Sequence, residues 1–254
     1  MNNPNHFPIT RRFASNHPQM IPMMRALNVV GMLKEGMAEI PVFKRFPKVE
    51  STLRQGVVTT NTIVLMVDLS PFSTFVANST PMQIQVVLNA YYERAVSLIE
   101  NRGGVVEKFI GDAVVAIFGA PFNGELDSTT DELLAAFEAG RELIDEMHTL
   151  FGAELTAKCA IDVGSCFLGY VGPESHPELT VIGNPLTTLF RLEDRAIRES
   201  VIMRTALYER IEPKLPIAKN TLESILAGWN VSHDVVELRG VGPAVGVTSA
   251  VRRR

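Results

Sequence analysis

The sequence predicts an α+β fold with a ferredoxin-like β-α-β-β-α-β core and a C-terminal extension. Three features lead to this prediction. Apolar runs of strand length recur along the chain, two amphipathic segments with helix-capping signals separate them, and the second and third strand-like runs are joined only by Gly111-Asp112. A connection of that length predicts a β-hairpin. A hairpin placed between two helices is the pattern of the split β-α-β arrangement.

The first strand and helix have clear boundaries in the sequence. Thr62–Leu69 is an apolar run interrupted only by Asp68 near its end, which is typical of a buried strand. Thr80 can cap the next helix and Gln83 completes a capping box with it. Gly103-Gly104 predicts the end of that helix.

The rest of the core follows in the expected order. A second helix is predicted from a cap at Thr129, with Glu132 three residues later, through Phe151. The remaining predicted strands of the core are Val105–Ile110, Ala113–Phe118 and Leu155–Val163. The extension is predicted to begin with a strand at Cys166–Val171, a helix at Pro185–Arg198 and a strand at Ser200–Met203. A short helix and two closing strands, Val235–Arg239 and Val245–Val251, are predicted to follow.

Residues 1–55 differ in character from residues 56–254, which we predict to form the main domain. The opening is rich in Asn, Pro and His and predicts a loose arm. Helical spacing between Met20 and Met37 predicts one short helical segment. Two interpretations stay open: a partly ordered extension packed on the main domain, or a dimerisation or regulatory arm. A membrane-surface helix is less favoured, because the apolar stripe is short.

Composition excludes several classes of function. The formal net charge of −4 argues against a nucleic-acid partner, which favours basic proteins. No apolar run is long enough to predict a membrane span, and the N-terminus lacks the apolar region of a secretory signal, so we expect a cytoplasmic protein. The two cysteines, Cys159 and Cys166, lie in apolar stretches and are predicted to be buried free thiols.

Two acidic residues are the candidate metal ligands. Asp68 lies at the end of the first predicted strand and Asp112 at the tip of the hairpin. The first strand and the second hairpin strand are sheet neighbours in this topology, so the two carboxylates can converge. One aspartate at a strand end is commonly a turn cap. A converging pair favours Mg²⁺ or Mn²⁺ bound to phosphate oxygens.

The segment after Asp68 offers backbone donors to an anion. A tight turn in LSPFSTF would direct the backbone N–H groups of Phe72, Ser73 and Thr74 toward a phosphate near the metals. The alternative is an ordinary connection between a strand and a helix.

Several segments resemble the catalytic domains of class III adenylyl and guanylyl cyclases. VEKFIGDAVVAIFGAP resembles the hairpin signature of that family, MVDLSPFSTF its first metal-binding strand, and GYVGPESHPELTVIGN the stretch before its catalytic helix. The resemblance extends from about Ser51 to Arg254. It implies a soluble enzyme that closes a nucleoside triphosphate into a cyclic monophosphate and releases pyrophosphate.

The resemblance implies a role for particular residues. Asp68, Asp112 and the backbone carbonyl of Leu69 match the ligands of two divalent cations, Mg²⁺ or Mn²⁺. Lys108 matches the lysine that selects the base in this family, and Thr180 matches the partner of that lysine. Arg191 matches an arginine that stabilises charge on the α-phosphate, and Arg239 matches a basic residue that contacts the terminal phosphates. The alternatives are a solvated strand lysine at 108 and a surface arginine at 191 paired with Glu193 or Asp194.

One catalytic position departs from the family pattern. Thr187 lies four residues before Arg191, where the family usually has an asparagine that orients the ribose. Threonine keeps a hydroxyl but lacks the paired donor and acceptor of an amide. Leu189 and Phe190 also add bulk to a segment that usually contains small residues.

The resemblance also implies a homodimer with shared active sites. In the family the metal aspartates come from one subunit and the base-selecting and transition-state residues from the other, and this chain carries both sets. The Lys108 and Thr180 pair favours ATP as the substrate, whereas the bulk at Leu189 and Phe190 leaves open a pyrimidine cyclase that makes cUMP or cCMP in antiviral signalling. GTP is less favoured, and a nucleotide-binding pseudo-cyclase is the alternative from another class.

Overall fold

The computed structural model describes residues 46–214 and 228–253. The helix predicted between Met20 and Met37 lies outside these ranges. Among the helices of the described ranges, none has the length and apolar character needed to cross a membrane.

One mixed sheet of eight strands organises the molecule. Seven strands lie in the order β2-β3-β1-β4-β6-β8-β7, and β5 pairs with the far part of β4. All neighbours are antiparallel except β4 and β6. The strands are β1 (Val57–Ser70), β2 (Val105–Ile110), β3 (Ala113–Gly119), β4 (Thr156–Val171), β5 (Glu178–Gly183), β6 (Ser200–Arg204), β7 (Trp229–Val236) and β8 (Val245–Arg252).

Two of the α-helices in the described ranges begin at capping boxes. Thr80 and Thr129 both form the capping boxes that the sequence predicts, with Gln83 and Glu132 respectively. A short 3₁₀ turn, Glu212–Lys214, follows the last helix. The helices are α1 (Pro47–Gln55), α2 (Phe72–Ala77), α3 (Pro81–Asn101), α4 (Thr130–Phe151), α5 (Asn184–Glu193) and α6 (Thr205–Ile211).

The sheet is covered on both faces along the second half of β1, which explains the continuous apolar run there. Leu65 and Val67 face the large core beneath α3 and α4, while Val64 and Met66 face a second core that includes Leu192 of α5. A strand covered on both sides needs apolar residues at every position rather than at alternate ones. A third cluster places α1 over the β4–β5 end of the sheet through Val49, Leu53, Leu168 and Val181.

The register of the central strands positions the site. Asp68 of β1 lies opposite Ala113 of β3 on one side and opposite Lys158 of β4 on the other. Asp112 directly precedes Ala113, so the hairpin turn brings it to the end of β1. Gly111 makes this turn with a φ of 62°, in the left-handed region that glycine adopts without a steric penalty.

Three predicted element boundaries are wrong. The strands predicted at Leu155–Val163 and Cys166–Val171 form one strand, β4, because β1 pairs along nearly its whole length and keeps it extended past Gly164. The helix predicted at Pro185–Arg198 ends at Glu193, where Leu192 O accepts N–H bonds from the two residues after Asp194.

The third error concerns the closing strand, and β5 was not predicted as a strand. The closing strand covers Trp229–Val236 instead of Val235–Arg239, because its partner β8 begins at Val245 and residues 237–244 form the turn between them. β5 pairs with the last six residues of β4 and lies within the segment that resembles the approach to the catalytic helix.

Candidate active site

The structure places the side chains of Asp68 and Asp112 close enough for their carboxyl groups to interact. Burial, the neighbouring charge of Asp112 and the charge of Glu193 raise the pKa of Asp68 to about 8, and burial also raises the pKa of Asp112. Two neighbouring carboxylates repel each other, so a bound divalent cation would favour the ionised form of both.

Two tyrosines of α3 fix the strands that carry this pair. Tyr91 is fully buried and its Oη donates a hydrogen bond to Val67 O at 2.7 Å, directly before Asp68. Tyr92 Oη donates to Gly111 O, directly before Asp112. Each aspartate is therefore held through the backbone of the preceding residue, so the two backbones keep their separation.

Lys158 and Glu193 complete this cluster, and the sequence analysis assigned neither to the metal site. Lys158 Nζ lies 3.8 Å from Asp68 Oδ2 and forms an ion pair with Glu193 Oε1. The signal in the sequence was a single lysine within the apolar strand TAKCAIDV. Its importance depends on the β1–β4 register, which the sequence does not specify.

The cluster holds more negative than positive charge. The charged groups that shift the pKa values of the two aspartates include one cation, Lys158. The carboxyl groups in the cluster are those of Asp68, Asp112 and Glu193. Among residues 46–214 and 228–253, no set of three or more His, Cys, Asp or Glu side chains is arranged as a complete metal site. The pair therefore supplies only part of a coordination shell, which suits Mg²⁺ because that ion usually keeps waters or substrate phosphates as ligands.

The residues after Asp68 form a helical turn. Phe72, Ser73 and Thr74 are the first three residues of α2, which has six residues and begins after Pro71. Phe75 N–H bonds to Pro71 O, as in a regular first turn. The contact of these residues with a phosphate stays a prediction.

A second polar cluster joins β2 to β5. Lys108 Nζ donates to Thr180 Oγ1 at 2.9 Å and to Glu178 Oε1 at 3.0 Å, and it lies 3.1 Å from Glu107 Oε1. Burial lowers the pKa of Lys108, but the bonds to Glu178 and Glu107 outweigh this effect and raise it overall. The predicted pair of Lys108 and Thr180 is therefore in direct contact.

Glu107 was not identified as a site residue from the sequence. The pairing of β2 with β3 shifts between Val106 and Lys108, so Glu107 is the extra residue of a β-bulge. Its Oε1 accepts bonds from Thr180 Oγ1 at 3.0 Å and from Val181 N at 3.3 Å. The side chain is 6% exposed. In a regular strand Glu107 and Lys108 would lie on opposite faces of the sheet. The bulge removes this alternation and allows both side chains to contact Thr180.

This polar cluster borders a cavity of about 360 Å³. Glu107, Lys108 and Thr180 lie on its wall, and the remaining lining is largely apolar. An apolar cavity with a few convergent polar groups is the usual form of a small-molecule site. The apolar lining includes Phe46, Leu53, Val105, Ile117, Phe122, Leu168, Leu179 and Val181.

Arg191 and Thr187 of α5 border a shallow depression together with Phe190, Glu193 and Asp194. Arg191 Nη1 lies 3.5 Å from Asp194 Oδ2, and the arginine side chain is 41% exposed. Its Nε is buried and has no hydrogen-bond partner within the described part of the chain. The surface ion pair considered from the sequence is thus present with Asp194.

The ion pairs of Arg191 and Glu193 differ, although both residues border this depression at the end of α5. Glu193 contacts Lys158 beside Asp68, whereas Arg191 contacts Asp194.

Arg239 lies in the exposed turn between β7 and β8. Its neighbour Leu238 is buried against Leu189 and Leu192 of α5, so this turn is anchored to the same helix that carries Arg191. The structure gives no contact between Arg239 and either polar cluster, and its role at the phosphates stays a prediction.

Comparison with known protein families identifies relatives of this chain. A family model described as the adenylate and guanylate cyclase catalytic domain matches residues 57–226. An uncharacterized protein of Mycobacterium tuberculosis is 33% identical over 130 residues, which cover 51% of this chain and 23% of that protein. Another is 28% identical over 191 residues, which cover 75% and 31%. The chain spans less than a third of the length of these curated relatives.

Solved structures share the fold. The adenylyl cyclase CyaB of P. aeruginosa superposes with a TM-score of 0.65 at 19% identity, over 78% of this chain and 97% of that one. The catalytic core of a rhodopsin-guanylyl cyclase with converted specificity, in complex with ATPαS, gives 0.63 at 17% identity over 78% and 99%. The guanylyl cyclase Cya2 gives 0.60 at 20% identity over 78% and 95%.

Proposed function

This chain belongs to the adenylate and guanylate cyclase catalytic domain family, and from that premise we propose that it converts ATP to 3′,5′-cyclic AMP and pyrophosphate. The observation that carries the choice of ATP is the 2.9 Å bond between Lys108 and Thr180 on the wall of a largely apolar cavity. In the reaction the ribose 3′-oxygen loses its proton and attacks the α-phosphorus. The bond from that phosphorus to the β-phosphate oxygen breaks, and pyrophosphate leaves.

Asp68 and Asp112 would hold the divalent cations that this family uses. Their fit is supported by their contact, by the raised pKa of each and by the shortage of positive charge around them. The carbonyl of Leu69 is proposed as a further ligand. Bound Mg²⁺ or Mn²⁺ would lower the pKa of the 3′-hydroxyl and neutralise phosphate charge.

Lys158 is proposed to bind the triphosphate. It is largely buried beside Asp68 and holds Glu193 as its present partner. A triphosphate close to the two aspartates would offer more oxygens than Glu193 does. The ammonium would therefore move from the carboxylate to the phosphates with little displacement.

Lys108 and Thr180 are proposed to read the base. The ammonium donates to N1 of adenine, and the threonine oxygen accepts an N–H of the 6-amino group. Lys108 has three N–H donors and directs them at Thr180, Glu178 and Glu107. The bond to Glu178 involves a carboxylate whose side chain is 70% exposed, so it is the easiest for the base to replace.

We propose that two copies share each active site. In its own chain Glu193 pairs with Lys158 beside Asp68 while Arg191 pairs with Asp194, and Arg191 is proposed to serve the site of a partner. There its planar guanidinium would bind the charge that develops on the α-phosphate. Thr187 lies on the same side of α5 and would be placed near the ribose.

A pyrimidine cyclase remains the second candidate. Of the two bulky residues that suggest it, Leu189 is fully buried in the core and does not narrow the depression beside Arg191. Phe190 does border this depression. Only Phe190 now supports a remodelled pocket, which makes ATP the better supported substrate. The presence of both aspartates and of Arg191 argues against a pseudo-cyclase.

A turnover panel tests the proposal. The purified protein is incubated separately with ATP, GTP, CTP and UTP, with Mn²⁺ and with Mg²⁺, and the products are identified by mass spectrometry. Cyclic AMP as the main product is expected. If cUMP or cCMP is the main product, the protein is a pyrimidine nucleotide cyclase and the proposal that ATP is its substrate is wrong. Folded, dimeric protein that makes no cyclic product from any nucleotide would contradict the proposed activity.

A further inference from the structure

We propose that Glu107 is a positioning residue that sets base selectivity through the hydroxyl group of Thr180. It makes the pocket select bases with an amino group beside an unprotonated ring nitrogen, as in adenine and cytosine. It disfavours guanine and uracil, which have a carbonyl oxygen beside a ring N–H. This inference rests on the proposed function, since it assumes that the cavity bordered by Glu107, Lys108 and Thr180 receives the base.

The donors and acceptors around Thr180 lead to this inference. A threonine hydroxyl has one proton and two lone pairs. The proton is donated to Glu107 Oε1, and one lone pair accepts from Lys108 Nζ. A carboxylate only accepts hydrogen bonds, so Glu107 prevents the hydroxyl from turning its proton toward the cavity. The lone pair that remains can only accept, which suits an amino group and repels a carbonyl oxygen.

The location of Glu107 indicates a functional role. Its Oε2 is buried and has no hydrogen-bond partner in the described residues. A buried carboxylate oxygen without a partner costs stability, so packing alone would favour an apolar residue here. The neighbouring wall residues Ile117, Leu168 and Val181 are apolar. The β-bulge is also what brings Glu107 beside Thr180.

Lys108 makes the selectivity directional. It is proposed to meet the ring nitrogen while Thr180 meets the exocyclic group. With the ribose and phosphates bound elsewhere, guanine or uracil would present an N–H to the ammonium and a carbonyl oxygen to the threonine lone pair. Both contacts are repulsive. Adenine and cytosine satisfy both side chains.

Binding measurements without turnover test this inference. The purified full chain is titrated with the 3′-deoxy forms of ATP, CTP, GTP and UTP in the presence of Mn²⁺. These analogues lack the attacking hydroxyl and cannot be cyclised. We expect the wild-type protein to bind the adenine and cytosine analogues at least about tenfold more tightly than the other two. Equal binding of all four, or no binding of any, would overturn the inference.

Three variants separate selectivity from folding. Glu107→Met removes the acceptor, frees the Thr180 hydroxyl to rotate and should reduce the preference by about tenfold. Glu107→Gln can keep an acceptor oxygen toward Thr180 and should retain most of the preference. Glu174→Gln, a matched control at an exposed position in the turn between β4 and β5, should leave the preference ratio unchanged. An unchanged ratio in folded Glu107→Met would overturn the inference, and if that variant does not fold, loss of the ratio in Glu107→Gln would do so.

The inference and the proposed function fail in different ways. Selective binding that depends on Glu107, without any cyclic product from natural nucleotides, supports the inference and contradicts the proposed activity. Cyclic AMP production by a protein whose binding ratio is the same in Glu107→Met and wild type supports the activity and overturns the inference.

Discussion

The two polar clusters of this molecule differ in how their charges are balanced. The metal cluster of Asp68, Asp112, Lys158 and Glu193 contains two carboxyl groups in contact, and the pKa of each is raised. The base cluster of Glu107, Lys108, Thr180 and Glu178 has a cation bonded to three neighbours at 2.9–3.1 Å. The metal cluster has an excess of carboxyl groups that an added cation would offset, whereas the groups of the base cluster are already bonded to one another.

This difference indicates how each cluster contributes to catalysis. Metal binding relieves repulsion between fixed carboxylates, so it should stabilise the fold as well as supply reactivity. A preorganised hydrogen-bond network, by contrast, gives selectivity because its groups cannot easily turn to suit the wrong base. Substitutions in the two clusters should therefore have different consequences, and the following predictions are arranged by the size of the expected effect.

The largest effect is expected for the metal aspartates. Asp68→Ala or Asp112→Ala should lower cyclase activity by at least about 10³-fold, because each variant would remove a proposed ligand of the divalent cations. Asp234→Asn, an exposed position on β7, is the matched control and should keep wild-type activity. Product formation with Mn²⁺ is the measurement. Activity above a tenth of wild type in either alanine variant would contradict the assignment.

Arg191 should give the next largest effect. Arg191→Ala should lower kcat by about 10²- to 10³-fold, because the guanidinium acts on charge that exists only in the transition state. Arg195→Ala, just beyond the same helix, removes a bond to Glu237 O and should have little effect on kcat. An Arg191→Ala variant with altered KM and unchanged kcat would show that this residue only binds the substrate.

Lys158 should affect substrate binding more than the chemical step. Lys158→Met keeps much of the side-chain length but removes the cation proposed to bind phosphates, so KM for ATP should rise by about tenfold or more. Lys158→Arg should restore most of the affinity. Steady-state kinetics of both variants measure this effect. Equal KM values in wild type and Lys158→Met would contradict the proposed phosphate contact.

The smallest effect is a pH dependence of stability in the metal-free protein. Burial and the charge of Asp112 raise the pKa of Asp68 from its ordinary value of 3.8 to about 8 in the folded protein. A raised pKa means that folding favours the protonated form, so stability is greatest below the unfolded pKa and is lost as the pH rises toward the folded one. Tm in EDTA should therefore fall between pH 5.5 and 8.5, by at least about 3 °C.

Two comparisons isolate this effect from other titrating groups. Asp162 also has a raised pKa, at about 6, because burial outweighs its pairing with Arg204, and it contributes in the same direction. Asp68→Asn should reduce the pH dependence of Tm while leaving the part due to Asp162. Mn²⁺ should raise Tm of the wild type more at pH 8.5 than at pH 5.5. An equal fall in Tm for the wild type and for Asp68→Asn would contradict the claim that the two aspartates repel each other.

The sequence predicted the core of the fold because its local signals agree with the tertiary structure. The capping boxes at Thr80 and Thr129 and the Gly111-Asp112 turn are present as predicted. The convergence of Asp68 with Asp112 followed from strand order alone. The contact of Lys108 with Thr180 was expected only from the resemblance to the cyclase family.

The remaining site residues depend on details that a single sequence does not encode locally. Lys158 became relevant only through the register between β1 and β4, and Glu107 only through the bulge in β2. The predicted end of α5 at Arg198 was wrong because the backbone turns onto Leu192 O after Glu193. The predicted position of β7 was wrong because its pairing with β8 overrode the apolar pattern. Whether residues 1–55 form a separate arm stays a prediction; α1 within that range packs on β4 and β5.

A mixing experiment with two inactive variants most directly tests the claim that the site is shared between two copies. Asp68→Ala and Arg191→Ala are purified with different affinity tags, mixed, allowed to exchange subunits and assayed for cyclic AMP. Each variant alone should be inactive, whereas the heterodimer should contain one intact site. Random exchange should then restore about a quarter of wild-type activity per total protein, since half of the dimers are mixed and each has one working site. No recovery in isolated heterodimers would contradict the shared site.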